Sequence, residues 1–121
     1  MNWKSIRLEL ARTREFPEGS VSRSYLLRLP LDADGKVDAA AVIRDPAQAT
    51  VRRFWPSEPD MIGYVVQTPN GWAFSYEPGE EDDEKIFHLE SHPLRLGEYI
   101  TVTEPDGSKL PFRVASLREL N

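Results

Sequence analysis

The chain has 121 residues, a length that suits one β-rich domain with a core of its own. It contains no cysteine, which excludes a disulfide framework, a zinc site built from thiolates and a thiol nucleophile. The net charge of −5 argues against indiscriminate nucleic-acid binding, although residues 1–31 carry six Lys or Arg against three Asp or Glu. The N-terminus lacks an apolar stretch of signal-peptide length, and no apolar run approaches the about 20 residues of a membrane-spanning helix. We therefore expect a cytoplasmic protein that does not enter a membrane.

Two strands are predicted near the N-terminus, over residues 3–11 and 24–31, because both segments alternate apolar and polar residues. The alternation places Trp3 on the outward face of the first strand. Between the strands lies Pro17-Glu18-Gly19, whose proline and glycine favour a turn. A four-residue loop there predicts a register with three apolar pairs on one face: Leu10 with Leu27, Leu8 with Leu29 and Ile6 with Leu31.

The next segment, Asp32-Ala33-Asp34-Gly35, resembles part of a calcium-binding loop. With Gly35 at the sixth position, the two end ligands of such a loop would be a proline and an alanine, so we reject calcium. The sequence instead predicts an Asp-Gly turn and then a short helix over residues 39–43. Asp38 is placed to cap this helix and Pro46 to end it.

A short strand is predicted at residues 50–55, and a second hairpin at residues 62–76 around Pro69-Asn70-Gly71. A three-residue loop in this hairpin pairs Thr68 with Trp72, Val66 with Phe74 and Tyr64 with Tyr76. The apolar face would then consist of Ile62, Tyr64, Val66, Trp72, Phe74 and Tyr76.

The acidic run at residues 77–84 predicts a solvated loop, and residues 85–90 a further short strand. The last hairpin, residues 98–114, turns at Pro105-Asp106-Gly107, and the tail at 116–120 has weak helical character. A three-residue loop pairs Glu104 with Ser108, Val102 with Leu110, Ile100 with Phe112 and Glu98 with Val114.

These elements amount to seven or eight short strands and one short helix. The predicted fold is mainly β: a small antiparallel barrel or strongly curved sheet built from three hairpins, with one short helix. Closure into a barrel is preferred, because it removes the open strand edges that three successive hairpins would leave.

Three residues in the second half of the chain could form a metal site. His88, Glu90 and His92 share one face of the predicted strand, which would present two imidazoles and a carboxylate. No other cluster of metal ligands follows them, and Pro93 interrupts regular pairing directly after His92. They are kept as candidates for a metal-dependent enzyme, whereas no metal, cofactor or catalytic residue is part of the preferred interpretation.

Aromatic residues outnumber what one small apolar face needs, and some of them adjoin arginines. Arg52, Arg53, Trp55 and Trp72 are the predicted partner-binding residues, because exposed tryptophan and arginine are typical of protein interfaces. Trp55 precedes a proline and Trp72 lies at the edge of a turn, so either could be partly exposed. The alternative is a nucleic-acid-binding module, in which bases stack on aromatic side chains near Arg12, Arg14, Arg23, Arg52 and Arg53.

The stretch from His92 to Gly107, HPLRLGEYITVTEPDG, with Phe54-Trp55-Pro56 upstream of it, resembles small uncharacterised bacterial proteins without an assigned activity. The resemblance covers most of the chain and rests on turn and strand motifs, so it implies a fold and no mechanism. The sequence as a whole favours a non-catalytic β module that binds a protein partner or a small ligand, with nucleic acid disfavoured as a partner.

Overall fold

The structure is a computed structural model, and it describes residues 3–69, 71–76, 84–86 and 92–120. Within these residues, eight strands and two short helical segments follow one another along the chain. They are β1 Trp3–Leu10, β2 Ser20–Pro30, α1 Ala39–Arg44, a 3₁₀ turn Pro46–Gln48, β3 Thr50–Phe54, β4 Met61–Thr68, β5 Gly71–Ser75, β6 Glu84–Ile86, β7 Tyr99–Thr103 and β8 Lys109–Glu119.

The strands form a closed antiparallel barrel. Each strand pairs with the next one along the chain, and β8 pairs back onto β1 from Lys4 opposite Glu119 to Leu10 opposite Phe112. The predicted fold class, mainly β with a barrel and one short helix, is therefore confirmed. Closure leaves neither β1 nor β8 with an open edge, which is the physical reason that favoured a barrel.

The C-terminal hairpin has the predicted register. Ile100 pairs with Phe112 and Val102 with Leu110, and the Glu104 N–H donates to the Ser108 carbonyl at 2.8 Å. Gly107 has a φ of +90°, the left-handed conformation that the third loop position requires. The helical character predicted for residues 116–120 is wrong, because β8 continues to Glu119 through its pairing with β1.

The middle hairpin has a different register from the predicted one. Thr68 pairs with Gly71, which leaves a loop of two residues rather than three, and Val65 pairs with Phe74. A slip of one residue reverses the faces of β4, so Val65 is buried while Ile62 and Tyr64 are exposed. The observed register places Gly63, rather than a residue with a side chain, against the backbone of Ser75 and Tyr76, where a Cβ would clash.

The N-terminal hairpin has the predicted faces but not the predicted register. Ile6 pairs with Leu27 and Leu8 with Tyr25, a slip of four residues from the prediction. An even slip keeps every side chain on its own face, so Tyr25, Leu27, Leu29 and Leu31 are buried as expected. Trp3 is also buried, which corrects its predicted outward position.

The helix lies where it was predicted, in the connection from β2 to β3 at one end of the barrel. Asp38 caps it by accepting the Ala41 N–H at 3.2 Å, and the helix ends at Arg44. Val42 joins the core of the barrel together with Leu94, whose N–H donates to the Gly35 carbonyl. The carboxylate of Asp32 accepts the N–H groups of residues 34 and 36, which confirms the turn that replaced the calcium hypothesis.

Aromatic side chains fill the centre of the barrel. The ring of Tyr25 lies 4.9 Å from the rings of both Phe74 and Phe112, and all three side chains are fully buried.

We call the end of the barrel opposite α1 the mouth. The β1–β2, β3–β4 and β7–β8 connections lie there. No helix among the described residues has the length and apolarity needed to cross a membrane. The predicted acidic loop covers residues 77–84, of which only Glu84, the first residue of β6, lies within the described residues.

Candidate functional site

Two arginines and two aromatic rings form a cluster at the mouth of the barrel. Arg53 points inward and is only 7% exposed, with its guanidinium 4.0 Å from the ring centroid of Trp55. Its Nη1 donates to the carboxylate of Glu58 at 3.3 Å. Arg23 lies 4.2 Å from the centroid of Phe16. These guanidiniums already stack on rings of the same chain, so the cluster holds the mouth together.

A second group of arginines covers the outside of the barrel. Alternate residues of a strand point outward, and the register brings the outward positions of β8, β1, β2 and β3 into transverse rows. Ser5 faces Arg118 on one side and Arg28 on the other, and Leu26 lies between Arg7 and Arg52. Neighbouring strands are about 4.8 Å apart, which puts the two arginines of each row about 10 Å apart. We call this surface the arginine face; it consists of Arg7, Arg28, Arg52, Arg113 and Arg118.

Only part of the charge on the arginine face is neutralised. Arg7 pairs with Glu9 at 3.0 Å, and Arg52 pairs with Asp60 at 3.1 Å. The other three arginines, at positions 28, 113 and 118, are exposed and have no ion pair or hydrogen bond from their side chains within the described part of the chain. Phe54 lies between the paired ones, with its ring 5.9 Å from the Arg7 guanidinium and 5.3 Å from that of Arg52.

Apolar residues continue both rows of the arginine face. Ile62 of β4 pairs with Arg52, and Tyr64 pairs with Thr50, the neighbour of Arg28. Ile62 is 65% exposed and Tyr64 is 50% exposed. Between β4 and the helical segments lies a depression of about 550 Å³, which we call the apolar groove; its lining includes Val42, Ile43, Pro46, Ala47, Tyr64 and Val66.

The four residues predicted to bind a partner lie in three different places. Arg52 belongs to the arginine face, whereas Arg53 and the half-buried Trp55 belong to the mouth cluster. Trp72 is in the core with an exposed fraction of 2%, so the expected partial exposure of its side chain is wrong. Arg12 and Arg14, named for the nucleic-acid alternative, are exposed on the β1–β2 connection at the mouth, and Arg23 stacks on Phe16.

Most of the arginine face was missed at the sequence level. Arg7 and Arg28 occupy outward positions of strands that were predicted with the right faces, so the alternation was a usable signal for their exposure. Their proximity to Arg118 could not be predicted from the sequence, because it depends on the pairing of the first strand with the last. The basic bias of residues 1–31 divides between two places, since Arg7 and Arg28 belong to this face whereas Arg12, Arg14 and Arg23 lie at the mouth.

The metal hypothesis is only partly covered by the described residues. His88 and Glu90 lie outside them. His92 has a side chain that is 40% exposed, and its Nδ1 is 3.8 Å from an oxygen of Glu98. Among the described residues, no group of three His, Asp or Glu side chains is placed to hold a metal ion. The three-residue metal site therefore stays a prediction.

Comparison of the chain with protein-family models, with curated proteins and with solved structures gave no significant match. The resemblance to small bacterial proteins stays a prediction.

Proposed function

We propose that the protein is a non-catalytic β-barrel module that binds an acidic protein partner through the arginine face. The observation that carries this proposal is the set of three exposed guanidiniums without a described counter-ion, on a chain whose net charge is −5. Like charges held on one face of a rigid sheet repel one another, and an acidic surface relieves that repulsion. Complementary charge of this kind speeds association and selects the partner.

The composition of the surface favours a protein over a nucleic acid as the partner. The arginine face passes directly into exposed Ile62 and Tyr64, and arginine and tyrosine beside an apolar patch are typical of protein interfaces. A polyanion such as nucleic acid would gain little from an isoleucine. A cytoplasmic location and a bacterial origin belong to this proposal.

A binding experiment with two matched double variants tests the proposal. The probe is a fluorescent polyglutamate peptide of about twenty residues, the number that each side of a protein interface contributes. Binding to the full chain is followed by fluorescence anisotropy at low and at physiological ionic strength. The test variant is Arg28→Glu with Arg118→Glu. The control, Arg12→Glu with Arg14→Glu, changes the net charge by the same amount at the mouth.

The two variants are expected to differ by more than an order of magnitude in Kd. An exposed ion pair contributes about 0.2–1 kcal/mol, and each reversal adds a repulsion of similar size. The test variant should therefore lose about 2 kcal/mol, roughly 30-fold in Kd, and the control less than about threefold. Equal losses in both variants would contradict the proposal. Tighter binding of a thymidine oligonucleotide than of polyglutamate, lost in the control variant, would establish the nucleic-acid alternative instead.

A further inference from the structure

The apolar groove has hydrophobic residues on both of its sides where a solvated surface would carry polar ones. On β4 the successive outward positions are Ile62, Tyr64 and Val66. On α1, Val42 is buried against the core while the next residue, Ile43, is 69% exposed. A strand or helix that faces only water normally alternates polar residues with its buried ones. The groove therefore has the character of a contact surface.

An arginine lies near this groove on the helix and another on the sheet. Arg44 follows Ile43 directly, is exposed, and has no ion pair among the residues that the structure describes; the half-buried Asp45 separates it from Pro46 in the groove lining. Arg28 lies in one row with Thr50 and Tyr64, about 10 Å from Tyr64 across two strand spacings. The carboxylate of Asp60 is already engaged by Arg52. A segment lying in the groove would thus meet apolar side chains at its centre and guanidiniums at its margins.

We infer that the apolar groove receives the apolar side chains of an amphipathic acidic segment of the partner, while Arg28 and Arg44 contact the carboxylates of that segment. This inference rests on the proposed function and specifies the partner. An acidic surface alone would satisfy the arginine face, whereas the groove requires leucine-like side chains spaced among the acidic ones. Binding then keeps part of its strength when salt screens the charges, because apolar burial is not screened.

A second copy of the chain fits the groove less well than such a segment. The other large apolar side chains that are exposed in the described residues are Val21, Leu96 and Tyr99. Each is close to an arginine: the Val21 carbonyl accepts from Arg7, Leu96 follows Arg95, and Tyr99 pairs with Arg113. Docking any of them in the groove would bring their arginines towards Arg28 and Arg44.

Three fluorescent peptides of about twelve residues, roughly three helical turns, separate the possibilities. The first is glutamate-rich with two leucines at positions i and i+4, which share one helix face. The second has serine in place of both leucines, and the third has glutamine in place of the glutamates. Each is titrated into the full chain at low and at physiological ionic strength. Variant Ile43→Ser removes one wall of the groove, and Leu96→Ser removes an equally exposed leucine elsewhere as the control.

The first peptide should bind at least about tenfold more tightly than either of the others, a difference of about 1.4 kcal/mol. Ile43→Ser should weaken the first peptide about fivefold or more and leave the second unchanged, whereas Leu96→Ser should change neither. Equal binding of the first two peptides, or no effect of Ile43→Ser, overturns this inference and leaves the proposed function standing. If no peptide binds at low salt, the proposed function fails as well. If the chain dimerises in a sedimentation experiment and Ile43→Ser abolishes the dimer, a second copy of the chain occupies the groove, and the inference is overturned.

Discussion

Replacing Gly63 by alanine tests how closely the barrel packs between β4 and β5. A Cβ built on Gly63 would clash with the carbonyl oxygen of Ser75 and lie 2.8 Å from both the Ser75 carbonyl carbon and the Cα of Tyr76. Ordinary van der Waals contact begins at 3.4 Å, so the β5 backbone must retreat by at least 0.6 Å, the difference between these distances. All three atoms belong to the backbone, and no side chain can turn away to make room.

The free energy of unfolding of Gly63→Ala should fall by about 3 kcal/mol. Overpacking by added methyl or methylene groups costs about 1–3 kcal/mol, and a clash with a hydrogen-bonded strand belongs to the upper part of that range. For a domain of this length, the midpoint of thermal unfolding should fall by about 10 °C or more. Urea denaturation followed by circular dichroism measures the free energy, and the m-value should stay unchanged.

Gly107→Ala is the matched control for this experiment. Gly107 has a φ of +90°, but an added Cβ would meet nothing within 4 Å. Its substitution should cost about 1–2 kcal/mol, since only the left-handed backbone conformation opposes it. If Gly63→Ala loses no more stability than Gly107→Ala, the close approach of β5 to β4 does not exist and the reasoning is refuted.

Two further predictions concern the closing pair of strands and the helix cap. Lys4→Met should raise the pKa of Glu119, because the Lys4 ammonium hydrogen-bonds the Glu119 carboxylate at 2.8 Å and lowers its pKa. Because this pKa is lowered by folding, the pair contributes stability above the ordinary carboxyl pKa and loses it as the pH falls through the lowered value. An NMR pH titration measures the pKa of Glu119. Asp106 is the internal control: its pKa is lowered mainly by the hydrogen bond from the Ser108 N–H and should not change in the variant. Asp38→Ala should cost about 1 kcal/mol in urea denaturation and Asp38→Asn much less, since asparagine also caps; equal losses in the two variants would mean that the cap has no such role.

The local turn signals predicted one of two similar hairpins correctly. Pro105-Asp106-Gly107 forms the expected loop, with the left-handed conformation at its glycine. Pro69-Asn70-Gly71 has the same form, yet Gly71 is drawn into β5 and pairs with Thr68. In the observed register Gly63 lies where a Cβ would clash with the backbone at the end of β5, so this position requires a glycine. That constraint is tertiary and leaves no mark in the turn itself.

Alternation of apolar and polar residues predicts faces more reliably than pairs. In the N-terminal hairpin the side chains other than Trp3 face as expected although the register is four residues off, because every even slip satisfies the same pattern. The same alternation would have separated Arg52 from Arg53. They are adjacent on one strand and therefore point to opposite sides of the sheet, Arg52 to the arginine face and Arg53 to the mouth.

The candidate site depends on contacts that sequence patterns do not contain. Arg118 joins Arg28 only because β8 returns to β1, which brings together residues more than a hundred positions apart, such as Lys4 and Glu119. The groove depends on the observed phase of β4, since the predicted phase would have buried Ile62 and Tyr64. The exposure of single arginines was predictable, but their arrangement as a surface was not.

The pairing of β1 with β8 also governs how the chain must reach its native state. Loop closure over so many residues makes this pairing late and slow, with folding on the millisecond-to-second scale expected for β-rich topologies. Until β8 is in place, β1 and β7 both have unpaired edges that could accept a strand from another molecule. Exchange of β8 between two copies would satisfy the same hydrogen bonds as intramolecular closure. The yield of monomer on refolding should therefore fall as the protein concentration rises.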